Sequence, residues 1–279
     1  MPREYCAEVA RAEGESMPGT ADVVDVWIML ESLPAWTAQA TTDNALAGAT
    51  RDWLARLSGD AAALGLKPRV QWIRRPEIDR AGVTLMLGAP SGLHRIEAAD
   101  YDALTALPLS ALVAQPPDAQ PQYFVCTNGQ RDVCCARFGL PVYAALRERV
   151  GGRVWQTTHV GGHRFAPNVL TLPQAALYGR VQSADVDEFV AAIEAGQLAS
   201  RWLRGRTRHA PHVQAAEAAL VERGFDVSPT PVSVAIDGGY RIAFGDHVVT
   251  VRSGAPREVL ASCGESRKSA TPWIVSEVG

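Results

Sequence analysis

The order of apolar and amphipathic segments limits the folds that this chain can adopt. A nearly continuous apolar run of strand length, residues 22–30, is followed by an amphipathic helical pattern over residues 41–57. Three shorter strand patterns come next, and a second helical pattern, interrupted by Pro108, ends this half of the chain. The predicted element order is β-α-β-β-β-α.

The same order recurs after a proline-rich joint, "AQPPDAQPQ". The strand pattern "YFVC" precedes a helix that we expect to begin at Pro141, because proline is favoured at the first helical position. Three strand patterns follow, and a helix between Ser183 and Gly196 ends the segment. Two halves with one element order predict an α/β protein with two thioredoxin-like β-α-β-β-β-α units in tandem.

The sequence also predicts where these units begin and end. We expect an N-terminal thioredoxin-like domain without a metal cluster at residues 1–117 and a second such domain, which carries the metal-ligand candidates, at residues 118–200. A small α+β appendage is expected at residues 201–279, where one helical pattern is followed by strand patterns with glycine-containing hairpin turns.

Composition restricts the class of protein. The 279 residues are 47% hydrophobic and 20% charged, with a net charge of -3, which is ordinary for a soluble globular protein and offers no basic surface for nucleic acid. The N-terminus lacks the apolar core of a signal peptide, and no apolar run reaches the length of about 18 residues that a membrane helix needs. We therefore expect a cytoplasmic protein that binds neither nucleic acid nor membrane.

Three of the five cysteines lie within "CTNGQRDVCC". An odd and clustered set of cysteines in a reducing compartment favours metal binding or thiol chemistry over a disulfide framework. Cys126 ends a predicted strand and Cys135 lies in a predicted loop before a helix, so the C-x8-C spacing spans a strand-to-helix connection. Because adjacent residues of an extended segment point in opposite directions, we expect Cys134 and Cys135 not to serve one centre.

A pair of histidines follows in "HVGGH". The two glycines between His159 and His163 disfavour a helix and predict a loop in which both rings can reach one metal. This loop and the loop after Cys126 both follow strands, and neighbouring parallel strands bring such loops to one end of a sheet. The residues alone leave open an iron–sulfur cluster, a structural zinc site and a thiol–disulfide centre.

Two cysteines lie far from these motifs in the sequence. Cys6 is close to the N-terminus, and Cys263 has no neighbouring cysteine or histidine. We interpret each as a small buried hydrophobic residue, which is the usual environment of a free cysteine.

Several stretches resemble the sucrase/ferredoxin-like family. They are "CTNGQRDVCCARFGLPVYAAL", "THVGGHRFAPNVLTLP", "YCAEVARAEGESMPGTA" near the start and "RWLRGRTRHAPHVQAAEAAL" after the histidine motif. The resemblance implies a thioredoxin-like ferredoxin domain with a [2Fe-2S] cluster, whose ligands would be Cys126, Cys135, His159 and His163.

Two positions depart from this ligand set or from the family pattern. The resemblance makes Cys134 a non-ligand, since other members have arginine there. Asn128 stands where the family usually has histidine, so a proton-relay role of that histidine does not carry over to this chain.

The implied ligand set predicts an electron carrier rather than a self-contained enzyme. Neutral imidazole in place of anionic thiolate makes a cluster easier to reduce. No dinucleotide fingerprint is present, so we expect a separate redox partner protein, either a reductase or an acceptor. The second nitrogen of each ligating imidazole predicts that reduction is coupled to protonation.

The alternatives fit the spacing of the cysteines less well. Zinc knuckles usually hold cysteines two to four residues apart, which is closer than the C-x8-C spacing. A thiol–disulfide enzyme of the thioredoxin type would carry C-x-x-C, which does not occur.

Overall fold

Apolar runs of strand length form the sheet of the first half, as the sequence predicts. The computed structural model describes residues 4–78 and 81–279. The first four strands are β1 (Val26–Glu31), β2 (Pro68–Arg74), β3 (Val83–Ala89) and β4 (Gly92–Ala98). The helices are α1 (Cys6–Ala12), α2 (Gly48–Ala63), α3 (Tyr101–Thr105) and α4 (Leu109–Val113). The break between α3 and α4 falls at Pro108, because proline cannot continue a helix that precedes it.

The second half repeats this arrangement. Its elements are β5 (Gln122–Cys126), α5 (Val133–Val150), β6 (Val154–Thr157), β7 (Asn168–Leu172), β8 (Ala176–Gly179) and α6 (Val186–Glu194). In each half the first two strands pair in parallel, the third strand pairs with the first in antiparallel fashion, and the fourth pairs with the third in the same way. The predicted α/β fold class and the repeated β-α-β-β-β-α order are confirmed.

The two halves share one continuous sheet of nine strands. Its order is β4-β3-β1-β2-β6-β5-β7-β8-β9, where β9 is Leu203–Arg206. At the junction β2 and β6 pair in antiparallel fashion, with Ile73 opposite Thr157 and Arg74 opposite Gln156. Sheet hydrogen bonds therefore cross from the first unit into the second and continue to β9. The domain limits 1–117, 118–200 and 201–279 stay predictions.

The apolar core also crosses the junction between the halves. One buried cluster contains Trp27 of the first half with Phe124 and Trp155 of the second, and it includes Cys126 and Cys135. Because that cluster is completed only when both units are present, we expect the two halves to stabilise each other.

The C-terminal part forms a four-stranded sheet against a helix and a separate sheet of two short strands. Its elements are α7 (Pro211–Glu222), β10 (Val232–Ile236), β11 (Gly239–Phe244), β12 (His247–Ser253), β13 (Arg257–Val259), β14 (Lys268–Ala270) and β15 (Trp273–Val278). The first three strands are the predicted hairpin strands, and β15 adds a fourth beside β12. Among residues 4–78 and 81–279, no helix is both long enough and apolar enough to cross a membrane.

Helix α5 begins earlier than the sequence predicts. The expected start was Pro141, but the helix begins at Val133 and Pro141 lies inside it. A carboxylate oxygen of Asp132 accepts a hydrogen bond from the backbone N–H of Cys134 at 2.9 Å, which caps the helix. The cap starts the helix ahead of the proline, so Cys134 and Cys135 lie in its first turn and not in a loop.

Close approach of α5 to β5 depends on Gly139. A Cβ atom at this position would overlap the carbonyl oxygen of Cys126. The helix that carries one candidate thiol therefore lies directly against the strand end that carries the other.

We predict that Gly139→Ala destabilises the protein by about 2 kcal/mol or more, because the added methyl group must push α5 away from β5. Urea unfolding followed by circular dichroism measures this change. Gly59→Ala in α2 is the matched control, since a Cβ there meets no atom within 4 Å. It should stabilise the helix by about 0.5–1 kcal/mol. If the two substitutions changed the free energy of unfolding equally, the close approach of α5 to β5 would be contradicted.

Candidate metal centre

Two buried cysteines lie at the connection between β5 and α5. Cys126 is the last residue of β5, and Cys135 lies in the first turn of α5. Both are almost completely inaccessible to solvent. Asn128 shapes the connection, since its side chain accepts a hydrogen bond from the backbone of Arg131 and donates one to the carbonyl of Thr37. Both thiols are thereby fixed at the C-terminal end of β5.

The histidine motif brings two imidazoles to the same end of the sheet. Because β5 and β6 are parallel neighbours, the loop after β6 begins beside Cys126. His159 Nδ1 lies 3.9 Å from Cys126 Sγ and 3.8 Å from Cys135 Sγ. The ring centroids of His159 and His163 are 4.7 Å apart. The ligand atoms of Cys126, Cys135 and His159 lie within 4.8 Å of one another, and the His163 ring lies beside that of His159. The role of all four residues as ligands stays a prediction.

Glycine allows the histidine loop to take its path. Gly161 and Gly162 have φ angles of 93° and 66°, in the region that residues with a Cβ atom rarely adopt. A Cβ atom on Gly162 would also overlap the guanidinium group of Arg204. The prediction that the two histidines do not lie on one α-helix is confirmed: His159 lies in a loop, and His163 begins a short 3-10 helix, His163–Phe165.

Side chains of the first half hold the start of this loop. The carbonyl oxygen of His159 accepts hydrogen bonds from Arg69 Nη2 at 2.9 Å and from Gln71 Nε2 at 3.1 Å. Arg69 and Gln71 both lie on β2, and Arg69 also pairs with Asp22 at 2.7 Å. The N-terminal unit therefore positions a histidine that belongs to the second unit.

A buried arginine on β9 holds the glycine pair, and the sequence analysis did not single it out. Arg204 Nη1 donates to the carbonyl of Gly161 at 2.9 Å and to Asn168 Oδ1 at 2.8 Å, and its Nε donates to Thr20 Oγ1 at 3.1 Å. Burial lowers the pKa of Arg204 to about 9, so the side chain stays charged at neutral pH. In a stretch with four arginines, "RWLRGRTR", only tertiary packing distinguishes this one.

The protonation of Cys126 and His163 suits metal binding. A hydrogen bond from Cys135 lowers the pKa of the Cys126 thiol, and the same interaction raises the pKa of Cys135. Burial lowers the pKa of His163 to about 4, so its ring is neutral at pH 7. A thiolate and a neutral imidazole are the forms in which cysteine and histidine bind a metal.

The buried polar atoms of His163 also fit a ligand. Its Nδ1 is buried and has no hydrogen-bond partner among the described residues. Its Nε2 lies 3.8 Å from Asp132 Oδ2, where the carboxylate can orient the ring electrostatically. Two thiols and two imidazoles, one of them with an unpartnered buried nitrogen, therefore fit a thiolate- and imidazole-bound centre.

Cys134 belongs to a different group of side chains. Its Sγ lies 3.3 Å from Cys263 Sγ and 3.7 Å from Cys6 Sγ. The side chains of Cys134 and Cys135 point to different groups of residues. The reason is not an extended segment: both residues lie in a helical turn, where neighbouring side chains point about 100° apart. Cys6 and Cys263, which the sequence analysis treated as isolated hydrophobic residues, lie together with Cys134.

Comparisons with known proteins point to one family for most of the chain. Residues 17–205 match the family model described as sucrase/ferredoxin-like. No curated protein matches the chain.

The solved structures that match are thioredoxin-like [2Fe-2S] ferredoxins. That of Aquifex aeolicus is 23% identical, with a TM-score of 0.27, and the match covers 30% of this chain and 88% of the ferredoxin. Two cysteine-to-serine variants of the same ferredoxin match at the same identity and TM-score, with 97% of their chains covered. A likeness this low in coverage and TM-score does not bear on the cofactor of this chain.

We predict that Arg204→Gln lowers the free energy of unfolding by about 2–3 kcal/mol, because it removes charge-assisted hydrogen bonds that are buried. It should also loosen the histidine loop, which hydrogen exchange at residues 159–163 detects. Arg201→Gln is the control, since the Arg201 side chain is 59% exposed and its ion pairs should contribute about 0.5 kcal/mol or less. A loop equally protected in both variants would contradict the role of Arg204.

Proposed function

The protein is a member of the sucrase/ferredoxin-like family, and we propose that it transfers electrons through one [2Fe-2S] cluster bound by Cys126, Cys135, His159 and His163. The observation that carries the proposal is the convergence of two buried thiols and two imidazoles at one end of the sheet. When bound, the cluster accepts and releases one electron. The chain supplies the ligands, the shielding from water and the access for a partner.

The ligand set determines how easily the centre is reduced. Two neutral imidazole ligands add no negative charge to the cluster, whereas two thiolates in their place would add two negative charges and make reduction harder. Centres with this ligand set have potentials of about -150 to +300 mV, compared with about -400 mV for plant-type ferredoxins with four cysteines. The carrier should therefore accept electrons from moderate reductants.

A redox partner can approach the candidate centre most closely from the side of His159. Cys126, Cys135 and His163 are buried, whereas His159 is partly exposed. A surface groove beside His159 is lined by polar side chains that include Gln39, Asn128 and Arg131. We propose that an electron enters and leaves at this groove by way of a separate partner protein. The cytoplasmic location and the coupling of reduction to protonation stay predictions.

A structural zinc site with the same residues is the second candidate. With Zn–S and Zn–N distances of about 2.3 and 2.0 Å, a tetrahedral ion places sulfur and nitrogen about 3.5 Å apart. His159 Nδ1 lies 3.8–3.9 Å from both sulfurs, which is close to that value. Zinc would make the protein a binding module without redox activity.

We predict that the protein purified without oxygen is brown and contains about two iron ions and two acid-labile sulfides per chain. Cys126→Ser and Cys135→Ser should each abolish the visible absorption, because each removes one thiolate ligand. Cys134→Ser, at the adjacent position, is the control and should keep it. A colourless protein that loses zinc in the Cys126 and Cys135 variants would establish the zinc site instead.

A second prediction concerns the potential of the centre. His159→Cys or His163→Cys should keep the visible absorption and lower the midpoint potential towards the all-cysteine value, because thiolate adds negative charge. Redox titration followed by absorption measures the shift. His209→Cys is the control, since His209 lies beside Glu217 away from the four candidate ligands, and it should leave the potential unchanged. Potentials that do not fall in either ligand variant would count against histidine ligation.

A further inference from the structure

Three cysteines from distant parts of the chain meet at the start of α5. Cys6 lies on α1, Cys134 in the first turn of α5, and Cys263 in the segment between β13 and β14. The Sγ–Sγ distances are 3.7 Å for Cys6 and Cys134, 3.3 Å for Cys134 and Cys263, and 3.5 Å for Cys263 and Cys6. The three sulfurs therefore form a nearly regular triangle, which random packing of small apolar side chains has no reason to produce.

A carboxylate completes the group. Both oxygens of Asp132 lie 3.8 Å from Cys6 Sγ, and one oxygen of Asp132 lies within 4.8 Å of all three sulfurs. Cys6 and Cys134 are fully buried, and Asp132 is 5% exposed. Burial of a carboxylate among three thiols is costly in an apolar core, whereas a bound cation compensates the charge.

The distances between the three sulfurs are close to those expected around a single tetrahedral metal ion. With a Zn–S distance of about 2.3 Å, tetrahedral geometry places ligand sulfurs about 3.8 Å apart. The observed sulfur separations of 3.3–3.7 Å lie just below that value. A disulfide would require about 2.05 Å between two sulfurs and would leave the third thiol unused. Sulfurs on different irons of a cluster would lie farther apart, because each binds its own ion.

Asp132 retains the capacity to bind a metal although it already accepts hydrogen bonds. Its Oδ2 accepts from the backbone N–H of Cys263 at 2.8 Å and from Ser262 Oγ at 3.2 Å. Its Oδ1 accepts from the backbone N–H of Cys134 at 2.9 Å and lies 3.8 Å from the Cys6 thiol, whose proton leaves when the sulfur binds a metal. A carboxylate oxygen has two lone pairs, so Oδ1 has one left for a metal.

We infer that Cys6, Cys134, Cys263 and Asp132 form a second metal site that binds one Zn²⁺ ion, distinct from the centre at Cys126 and Cys135. Three thiolates and a carboxylate are a ligand set that zinc accepts in tetrahedral coordination. Binding releases the protons of the thiols to solvent and involves no change in oxidation state. Because Cys263 is partly exposed, the ion can enter from its side.

The zinc ion would join three segments that also meet in one small buried cluster. It links α1 and the C-terminal segment to the start of α5, where Asp132 also lies 3.8 Å from His163 Nε2. The second site would therefore add a cross-link beside the helix turn that supplies Cys135, which the Asp132 cap already positions.

Metal analysis of the reduced 279-residue chain tests the inference. The wild-type chain should contain one zinc ion in addition to any metal at the first centre. Cys263→Ser should lower the zinc content by about one ion per chain and leave the iron content and the visible absorption intact. Cys126→Ser is the matched control, because it should change the first centre and leave the zinc of the second site in place.

Substitution with Co²⁺ gives an independent readout. After chelation, the wild-type chain with Co²⁺ should show thiolate-to-cobalt charge-transfer absorption and the visible bands of a tetrahedral ion, and Cys6→Ser and Cys263→Ser should both weaken them. The inference is wrong if the reduced wild-type chain binds neither Zn²⁺ nor Co²⁺ outside the first centre. It is also wrong if metal content is equal in wild type, Cys6→Ser and Cys263→Ser, or if two of the three cysteines are joined in a disulfide in the protein as isolated.

Discussion

Antiparallel pairing between β2 and β6 is the contact on which the candidate metal centre depends. It joins two four-stranded units into one sheet and sets β2 directly beside the loop after β6. Two side chains of β2, Arg69 and Gln71, can therefore hold the carbonyl of His159. Without this junction the histidine loop would lose its hydrogen bonds from the first unit, and Arg204 of β9 would be its main remaining support. The duplication of the unit thus provides a rigid environment for one site in the second unit.

Asp132 connects the local structure of α5 to both groups of cysteines. Burial alone would raise the pKa of its carboxyl group, but the backbone N–H groups of Cys263 and Cys134 outweigh this effect and keep the pKa low. The same carboxylate caps α5 and lies near His163 and Cys6. One side chain therefore fixes the direction of the helix that sends Cys134 to one group and Cys135 to the other.

Local patterns in the sequence were sufficient to predict most elements of the sheet and the convergence of the four candidate ligands. Apolar runs of strand length predict the strands, and two glycines predict the histidine loop. The predicted start of α5 at Pro141 is wrong, because the Asp132 cap begins the helix at Val133. The grouping of Cys6 with Cys134 and Cys263, and the burial of Arg204, arise from contacts between segments more than 100 residues apart in sequence. Such contacts depend on tertiary packing, which no local pattern contains.

Mössbauer spectroscopy of the ⁵⁷Fe-enriched protein tests the central claim, a [2Fe-2S] cluster with unlike ligands on its two irons, most directly. The oxidised protein should show two quadrupole doublets of equal area, one from iron bound by Cys126 and Cys135 and one with a larger isomer shift from iron bound by His159 and His163. A single doublet from two equivalent irons would contradict histidine ligation of one iron. A protein that takes up no iron and holds zinc at these four residues would contradict the cluster itself.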